Sequence, residues 1–102
     1  MYARIARFEG ADPSRMDERV ETNRRYIEQS LASPPAGLEA AKGIWMLVDR
    51  KSGRGLGITL FETEEDLRKG DEALSKMSPP DVEGGRRTSV EVYEVVFKRE
   101  LA

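Results

Sequence analysis

The sequence lacks both cysteine and histidine across its 102 residues. Without cysteine the chain forms no disulfide bond and has no thiolate nucleophile, and without either residue type it has no zinc site of the usual kind. The absence of histidine also excludes a Ser-His-Asp triad and iron held by histidine. Because histidine is the commonest general base in enzymes, its absence counts against vigorous catalysis.

An excess of charge of one sign and long hydrophobic runs are lacking as well. The 17 basic and 19 acidic residues leave a net charge of −2, so no basic excess indicates a nucleic-acid partner. The longest strictly apolar run, Ile44–Val48, is far shorter than the ~20 residues that span a bilayer. Arg4 and Arg7 interrupt the N-terminal segment where a signal peptide would be apolar. We therefore expect a cytoplasmic protein that binds neither nucleic acid nor a membrane.

The chain has the length of one domain, and we expect a single domain over residues 1–102. Hydrophobic periodicity and capping residues predict six elements in the order β-α-β-β-α-β. Asp12 and Thr63 are the predicted N-caps, and Gly70 in the second helix suggests close packing there. The predicted strands are residues 2–9, Ile44–Val48, Leu56–Phe61 and Thr88–Lys98. The predicted helices run from Pro13 to about Ala32 and from Glu64 to the stop at Ser78-Pro79-Pro80, with a polar loop closed by Gly84-Gly85.

This order is typical of the ferredoxin-like α+β sandwich, a four-stranded antiparallel sheet with two helices on one face. Large apolar residues occur on both faces of the predicted strands, for example Ile58 on one and Phe61 on the other. Since helices cover only one face, a monomer would expose a larger apolar patch than is usual. We therefore expect a homodimer that packs sheet to sheet as an α/β barrel, with a cavity between the sheets. The long last strand would reach the edge of the partner.

Two stretches around the predicted hairpin, Lys42–Arg50 and Ser52–Glu65, together with Val90–Val95 resemble small proteins of the dimeric α/β barrel superfamily. Within it, the antibiotic biosynthesis monooxygenase-like group is the nearest. The resemblance implies two ferredoxin-like protomers with their sheets face to face. The superfamily includes cofactor-free monooxygenases, haem-degrading enzymes, chlorite dismutase-like proteins and lactone isomerases. Its haem-binding members generally use a histidine ligand, which this sequence lacks, so the resemblance implies no cofactor here.

Five residues are candidates for binding a ligand: Arg4, Asn23, Trp45, Thr59 and Tyr93. Asn23 interrupts the apolar stripe of the first helix, and it either satisfies a buried backbone group or orients a ligand carbonyl. Trp45 either packs in the core or lines a pocket for a flat aromatic molecule. With a simple hairpin register it faces Leu60 on the helix-covered side, whereas a one-residue bulge reverses its facing.

Thr59 and the neighbouring Gly57 are small or polar residues in an otherwise apolar strand. They either allow close packing of two sheets or leave room for a ligand opposite the helices. Arg4 either reaches past a sheet edge to a carboxylate or binds an anion or enolate in a cavity. Tyr93 has a similar pair of interpretations, with dimer packing favoured. The acidic run Glu64-Glu65-Asp66 is expected to be helix-end charge, and no metal site is predicted.

Two functions remain open. The first is a homodimer that binds a small, mainly apolar or aromatic molecule in its cavity, with a cofactor-independent monooxygenase-like activity if it is an enzyme. The second is a non-catalytic scaffold or binding module whose cavity is filled by its own side chains, among them Met46, Phe61, Tyr93 and Phe97. Fold alone does not separate them.

Overall fold

The structure is a computed structural model that describes residues 1–76 and 86–101. Its elements follow the predicted β-α-β-β-α-β order, which is confirmed. The strands are β1 (Tyr2–Glu9), β2 (Ala41–Asp49), β3 (Arg54–Phe61) and β4 (Arg86–Glu94), and the helices are α1 (Met16–Ala32) and α2 (Glu64–Lys76). A 3₁₀ turn over Pro13–Arg15 precedes α1, and the carboxylate of Asp12 accepts a hydrogen bond from the Ser14 amide there.

The last strand is shorter than predicted. It begins at Arg86 rather than at Thr88, and it ends at Glu94 rather than at Lys98. Its only partner in the described sheet is β1, whose first paired residue, Tyr2, lies opposite Glu94. One further backbone hydrogen bond extends the pairing of β4 with β1 beyond Tyr2 and Glu94: the Val95 amide donates to the Met1 carbonyl at 2.8 Å. The predicted helix stop at Ser78-Pro79-Pro80 and the Gly84-Gly85 loop lie outside the described residues.

The four strands form one antiparallel sheet in the order β2-β3-β1-β4. Helix α2 lies on one face of this sheet, where Phe61 is completely buried against Gly70. Arg4 forms an ion pair with Asp71 of the same helix at 2.7 Å. The predicted ferredoxin-like α+β fold is therefore confirmed.

Strand register assigns each remaining side chain to a face. Arg4 lies opposite Thr59, and Thr59 lies opposite Ile44, so these residues share the helix-covered face with Phe61. Thr59 and Gly57 therefore lie beneath the helices, and not opposite them as the sequence suggested. The hydrophobic alternation of β3 misled the prediction because its leucine and isoleucine residues point away from the helices.

The opposite side of the sheet carries large apolar side chains, and neither of the two described helices lies on it. We call this the open sheet face: Ile5, Trp45, Leu47, Leu56, Ile58 and Tyr93. Trp45 lies opposite Ile58, two residues from the expected Leu60 and on the same face of β3. Because that face is the one away from the helices, the side chain of Trp45 belongs to the open sheet face and not to the helix-covered side. The β2–β3 register shifts between Ala41 and Gly43, next to this pair. Trp45 is 53% exposed and Tyr93 51% exposed, which is unusual for large apolar groups gathered on one surface.

The two helices sit at different heights above the sheet. Helix α2 packs closely on β1, β2 and β3, whereas within the described residues no Cα of α1 comes within 8 Å of a strand Cα. The close approach of α2 depends on Gly70, since a methyl group there would overlap the ring of Phe61. Helix α2 therefore packs closely against the sheet, whereas α1 lies farther from it.

Replacing Gly70 by alanine should destabilise the fold, although alanine is the better helix former by about 1 kcal/mol. The added methyl group meets a fully buried ring, and overpacking of this kind costs about 1–3 kcal/mol. We expect a net loss of up to about 2 kcal/mol in the free energy of unfolding, measured by urea denaturation.

The matched control is Gly43→Ala in β2, where an added Cβ would lie 3.5 Å from Leu60 Cδ1, an ordinary contact. Its free energy of unfolding should change by no more than about 0.5 kcal/mol. If Gly70→Ala proved as stable as Gly43→Ala, Gly70 would not be what sets the height of α2.

Candidate functional site

A cleft of about 190 Å³ lies between α1 and the helix-covered face of the sheet. We call it the helix–sheet cleft. Its walls are mostly apolar, and the larger apolar residues include Phe8, Met16, Ile27, Ile44, Met46, Val48 and Leu74. Ala6, Gly55 and Gly57 add small residues at the strand positions beneath α1. Small residues on the sheet and a raised helix together leave this space open.

The tip of the β2–β3 hairpin supports the N-terminal end of α1. Gly53 has a φ of +77° and lies directly against the Ala11 carbonyl, so a side chain there would collide with the backbone that leads into the helix. Arg50 in the same hairpin forms an ion pair with Asp17 in the first turn of α1. The hairpin therefore determines where α1 begins and closes one end of the cleft.

Arg4 is the most deeply buried charged residue of the cleft. Its side chain is 4% exposed, and its Nε donates to Asp71 Oδ1 at 2.7 Å. Its Nη2 is buried and has no hydrogen-bond partner. A buried guanidinium normally has its donors satisfied, so this atom is an exception that calls for an acceptor.

Asn23 and Thr59 line the same cleft as Arg4. Thr59 is buried and lies directly opposite Arg4 on the neighbouring strand, and Asn23 comes from α1 on the other side. Three of the five predicted ligand-binding residues are thus brought together in one space. The sequence reasoning placed that space between two sheets, whereas the structure has it between a helix and a sheet.

Trp45 and Tyr93 are not part of this group. Trp45 borders the cleft as a residue of edge strand β2, but alternation directs its side chain to the open sheet face. Tyr93 lies on the open sheet face too, where its hydroxyl donates to Glu91 Oε2 at 2.6 Å. Arg7 donates to the other oxygen of Glu91. The three side chains form a cluster outside the cleft.

The Tyr93–Glu91–Arg7 cluster shifts the titration of its members. The hydrogen bonds from Tyr93 and then from Arg7 lower the pKa of Glu91 below its ordinary value. The pKa of Tyr93 is raised, because ionisation would end its hydrogen bond to Glu91 and place two negative charges together. Arg7 and Tyr93 are exposed and Glu91 is half-buried, so solvent partly screens their interaction.

Tyr26 and Ser30 were not predicted as site residues, and they line the cleft beside Asn23 and Ile27. A signal was available, because residues 23, 26, 27 and 30 recur at the spacing of one helix face. The Ser30 hydroxyl donates to the Tyr26 carbonyl at 2.9 Å, so it is satisfied within the helix. Tyr26 is therefore the additional polar side chain available to a ligand.

The charged residues that line the cleft are all arginines: Arg4, Arg19, Arg54 and Arg87. Arg54 is paired with Asp49, and Arg87 donates to the carbonyls of Leu74 and Ser75. Among the described lining residues there is no carboxylate, so the local charge of the cleft is positive although the net charge of the chain is −2.

The described part of the chain shows neither a metal-binding cluster nor a helix that could span a membrane. Across residues 1–76 and 86–101, no cluster of acidic side chains has an arrangement that could hold a metal ion. The acidic residues Glu64, Glu65 and Asp66 occupy the first turn of α2, where they complement the helix dipole. No described helix is both long and apolar enough to cross a membrane.

The architecture places the chain among ferredoxin-like α+β proteins, and comparison with solved structures supports this. The chain is similar to the heme-degrader MhuD from Mycobacterium tuberculosis with two hemes bound in its active site, at 16% identity and a TM-score of 0.64, covering 98% of this chain and 100% of that chain. It is equally similar to an arginine-to-serine variant of MhuD with two manganese protoporphyrin IX molecules bound per active site, at 16% identity and a TM-score of 0.64, over 98% of this chain and 99% of that chain. No protein-family model and no curated protein matches the sequence. At this identity the likeness establishes the fold alone.

The pKa of Glu91 should rise toward its ordinary value in a Tyr93→Phe variant, because the hydroxyl that stabilises the carboxylate is removed. The sign follows from linkage: a carboxyl group with a lowered pKa contributes stability above its unfolded-state pKa, and that contribution is lost as the pH falls through the folded-state pKa. Carbon-13 NMR of the glutamate carboxyl groups between about pH 2 and 7 measures the shift directly.

Tyr2→Phe serves as the control, since Tyr2 lies on the helix-covered face, away from Glu91. Its Glu91 titration should match that of the unmodified protein. An unchanged Glu91 pKa in Tyr93→Phe would mean that the Tyr93 hydroxyl does not bind that carboxylate in solution.

Proposed function

We propose that this protein is a homodimer that binds a small, flat, mainly apolar molecule in the helix–sheet cleft of each protomer. The observation that carries the proposal is a cleft with apolar walls that also brings Arg4, Asn23 and Thr59 together. Ligand sites commonly combine an apolar lining with a few converging polar groups. The volume of about 190 Å³ suits a ligand of one or two aromatic rings.

Binding is favoured over catalysis by the chemistry of the lining. Proton abstraction needs a base within hydrogen-bond reach of the substrate, and among the described lining residues there is neither a carboxylate nor an imidazole. A cofactor-independent monooxygenase-like activity is the second candidate. It is supported by the hydrogen-bond donors of Arg4, Asn23 and Thr59, which could stabilise a developing oxyanion.

Heme does not fit this cleft, although the solved structures of similar fold hold heme or a heme analogue. The sequence has no histidine to bind the iron. A volume of about 190 Å³ is also below the ~300–1,000 Å³ of pockets that bury drug-sized ligands. The proposed ligand is therefore smaller than a porphyrin.

The scaffold alternative required side chains to fill the cavity. Phe61 is buried against α2, Tyr93 lies on the open sheet face, and Phe97 is 80% exposed beyond the end of β4. These four residues were expected to fill the space between the two sheets of a dimer, and of them only Met46 lines the helix–sheet cleft. The open volume of the helix–sheet cleft supports a ligand there, while the filling of a space between two sheets stays a prediction.

The dimer is proposed from the open sheet face. Its apolar side chains, with Val96 and Phe97 exposed just beyond β4, form a larger apolar surface than monomers usually leave in water. A second copy presenting the same face would cover them by packing sheet on sheet. The cleft lies on the other side of the sheet and would stay accessible.

Gly57→Leu should block the cleft. An added Cβ at Gly57 would lie 3.7 Å from Phe8 Cε2, an ordinary contact, so the larger side chain enters the cleft without straining the backbone. With uncharged 2-naphthamide as the probe, we expect the dissociation constant measured by calorimetry to rise about tenfold or more, equivalent to about 1.4 kcal/mol.

Ala32→Leu is the matched control, because it adds similar bulk to an exposed position at the end of α1, outside the cleft. Its dissociation constant should stay within about twofold of the unmodified value, a difference of about 0.4 kcal/mol. Naphthamide binding that survives in a folded Gly57→Leu protein would place the ligand elsewhere and overturn the proposed site.

Ile58→Lys should convert the dimer into a monomer, because it places a charge in the middle of an apolar sheet-to-sheet contact. Sedimentation velocity at micromolar concentration measures the change. Leu31→Lys, on the exposed side of α1, is the control and should leave the dimer intact. A monomer in the unmodified protein would contradict the proposed assembly.

A further inference from the structure

We propose that the helix–sheet cleft selects an anionic aromatic ligand, a molecule with a carboxylate or similar group that binds the guanidinium of Arg4. The inference rests on the proposed function, since it names the class of ligand for the same cleft. The observation that carries it is the buried Nη2 of Arg4, which lacks an acceptor in a cleft whose described lining has no acidic residue.

The pairing of Arg4 with Asp71 is incomplete. Asp71 Oδ1 accepts from Nε alone, and this is the only hydrogen bond of the Arg4 side chain within the described residues. The Asp71 side chain is 41% exposed and reaches water, whereas the Arg4 side chain is 4% exposed. One half-solvated carboxylate therefore leaves a buried guanidinium with unused donors, a costly arrangement unless another acceptor arrives.

The surroundings of Arg4 limit the side from which a ligand oxygen could approach its guanidinium. The sheet lies behind Arg4 and α2 lies on the Asp71 side, and neither supplies an acceptor to Nη2. The Arg4 side chain also lines the cleft, and because Nη2 is closed to solvent in this structure, a ligand there would reach it through a rotation of the guanidinium toward the cleft. A ligand carboxylate arriving there would gain a charge-assisted hydrogen bond to a planar, permanently charged group.

On the cleft side of Arg4, the side chains of Thr59 and Asn23 can donate hydrogen bonds to a ligand and carry no negative charge that would repel an anion. Thr59, buried and directly opposite Arg4, has a hydroxyl that can donate to a ligand oxygen. Asn23 presents an amide from α1 on the far side of the cleft. The apolar walls would hold the rings of the ligand while its charged end lies at Arg4.

The test compares two probes that share one ring system, 2-naphthoate and 2-naphthamide, by calorimetry on the unmodified protein. The carboxylate probe should bind about tenfold more tightly or better. Because the site is buried, raising the salt concentration to about 0.5 M should reduce this preference only slightly. Equal affinities would overturn the anion inference and leave the proposed function standing, whereas absence of binding by both probes would overturn both.

Two substitutions move the preference in opposite directions. Arg4→Gln should remove the preference for naphthoate while naphthamide still binds. Asp71→Asn should increase the preference several-fold, because the competing carboxylate is gone and the half-exposed position tolerates an isosteric amide. Arg25→Gln, an exposed arginine of α1 outside the cleft, is the control and should leave the ratio of the two affinities unchanged.

Asp71→Asn keeps the inference falsifiable if Arg4→Gln fails to fold. An unchanged or smaller naphthoate preference in folded Asp71→Asn protein would show that Arg4 serves only its ion pair with α2, and would overturn the proposal. Such a result would leave naphthamide binding, and hence the proposed function, to be judged by the Gly57→Leu experiment.

Discussion

The burial of Phe61 against Gly70 is the contact on which the rest of the arrangement depends. It brings α2 down onto the sheet and decides which sheet face the helices cover. Since side chains alternate along a strand, that one choice also determines the facing of Thr59 beneath the helices and of Ile58 on the open side. The position of the helix–sheet cleft and that of the apolar open sheet face are two consequences of the same contact.

The unequal height of the two helices creates the helix–sheet cleft. Helix α2 carries a glycine at its contact with the sheet and packs tightly, whereas α1 stands off from the strands and is supported at its start by the β2–β3 hairpin. Small residues on the strands beneath α1 do not fill the gap. A protein that needed only stability would gain by filling it, because close packing is the usual condition of interiors.

The shared fold with a heme-degrading protein separates architecture from chemistry. A protein of similar fold holds heme in its active site, while the cleft here measures about 190 Å³ and the sequence has no histidine. In place of a metal ligand, this cleft offers a buried arginine with an unsatisfied nitrogen. Function in such folds follows from the side chains that line the site, and the fold does not dictate it.

The order of the elements, the N-cap at Asp12 and the close packing at Gly70 could be predicted from sequence, because they depend on local periodicity and on backbone chemistry. Arg4, Asn23 and Thr59 could be singled out as polar residues within apolar patterns. Their meeting in one cleft, and the opposite facing of Trp45, were decided only by the tertiary structure. The reason is that strand alternation defines two faces without saying which one a helix will cover, and that choice requires contacts between residues distant in sequence, such as Arg4 with Asp71.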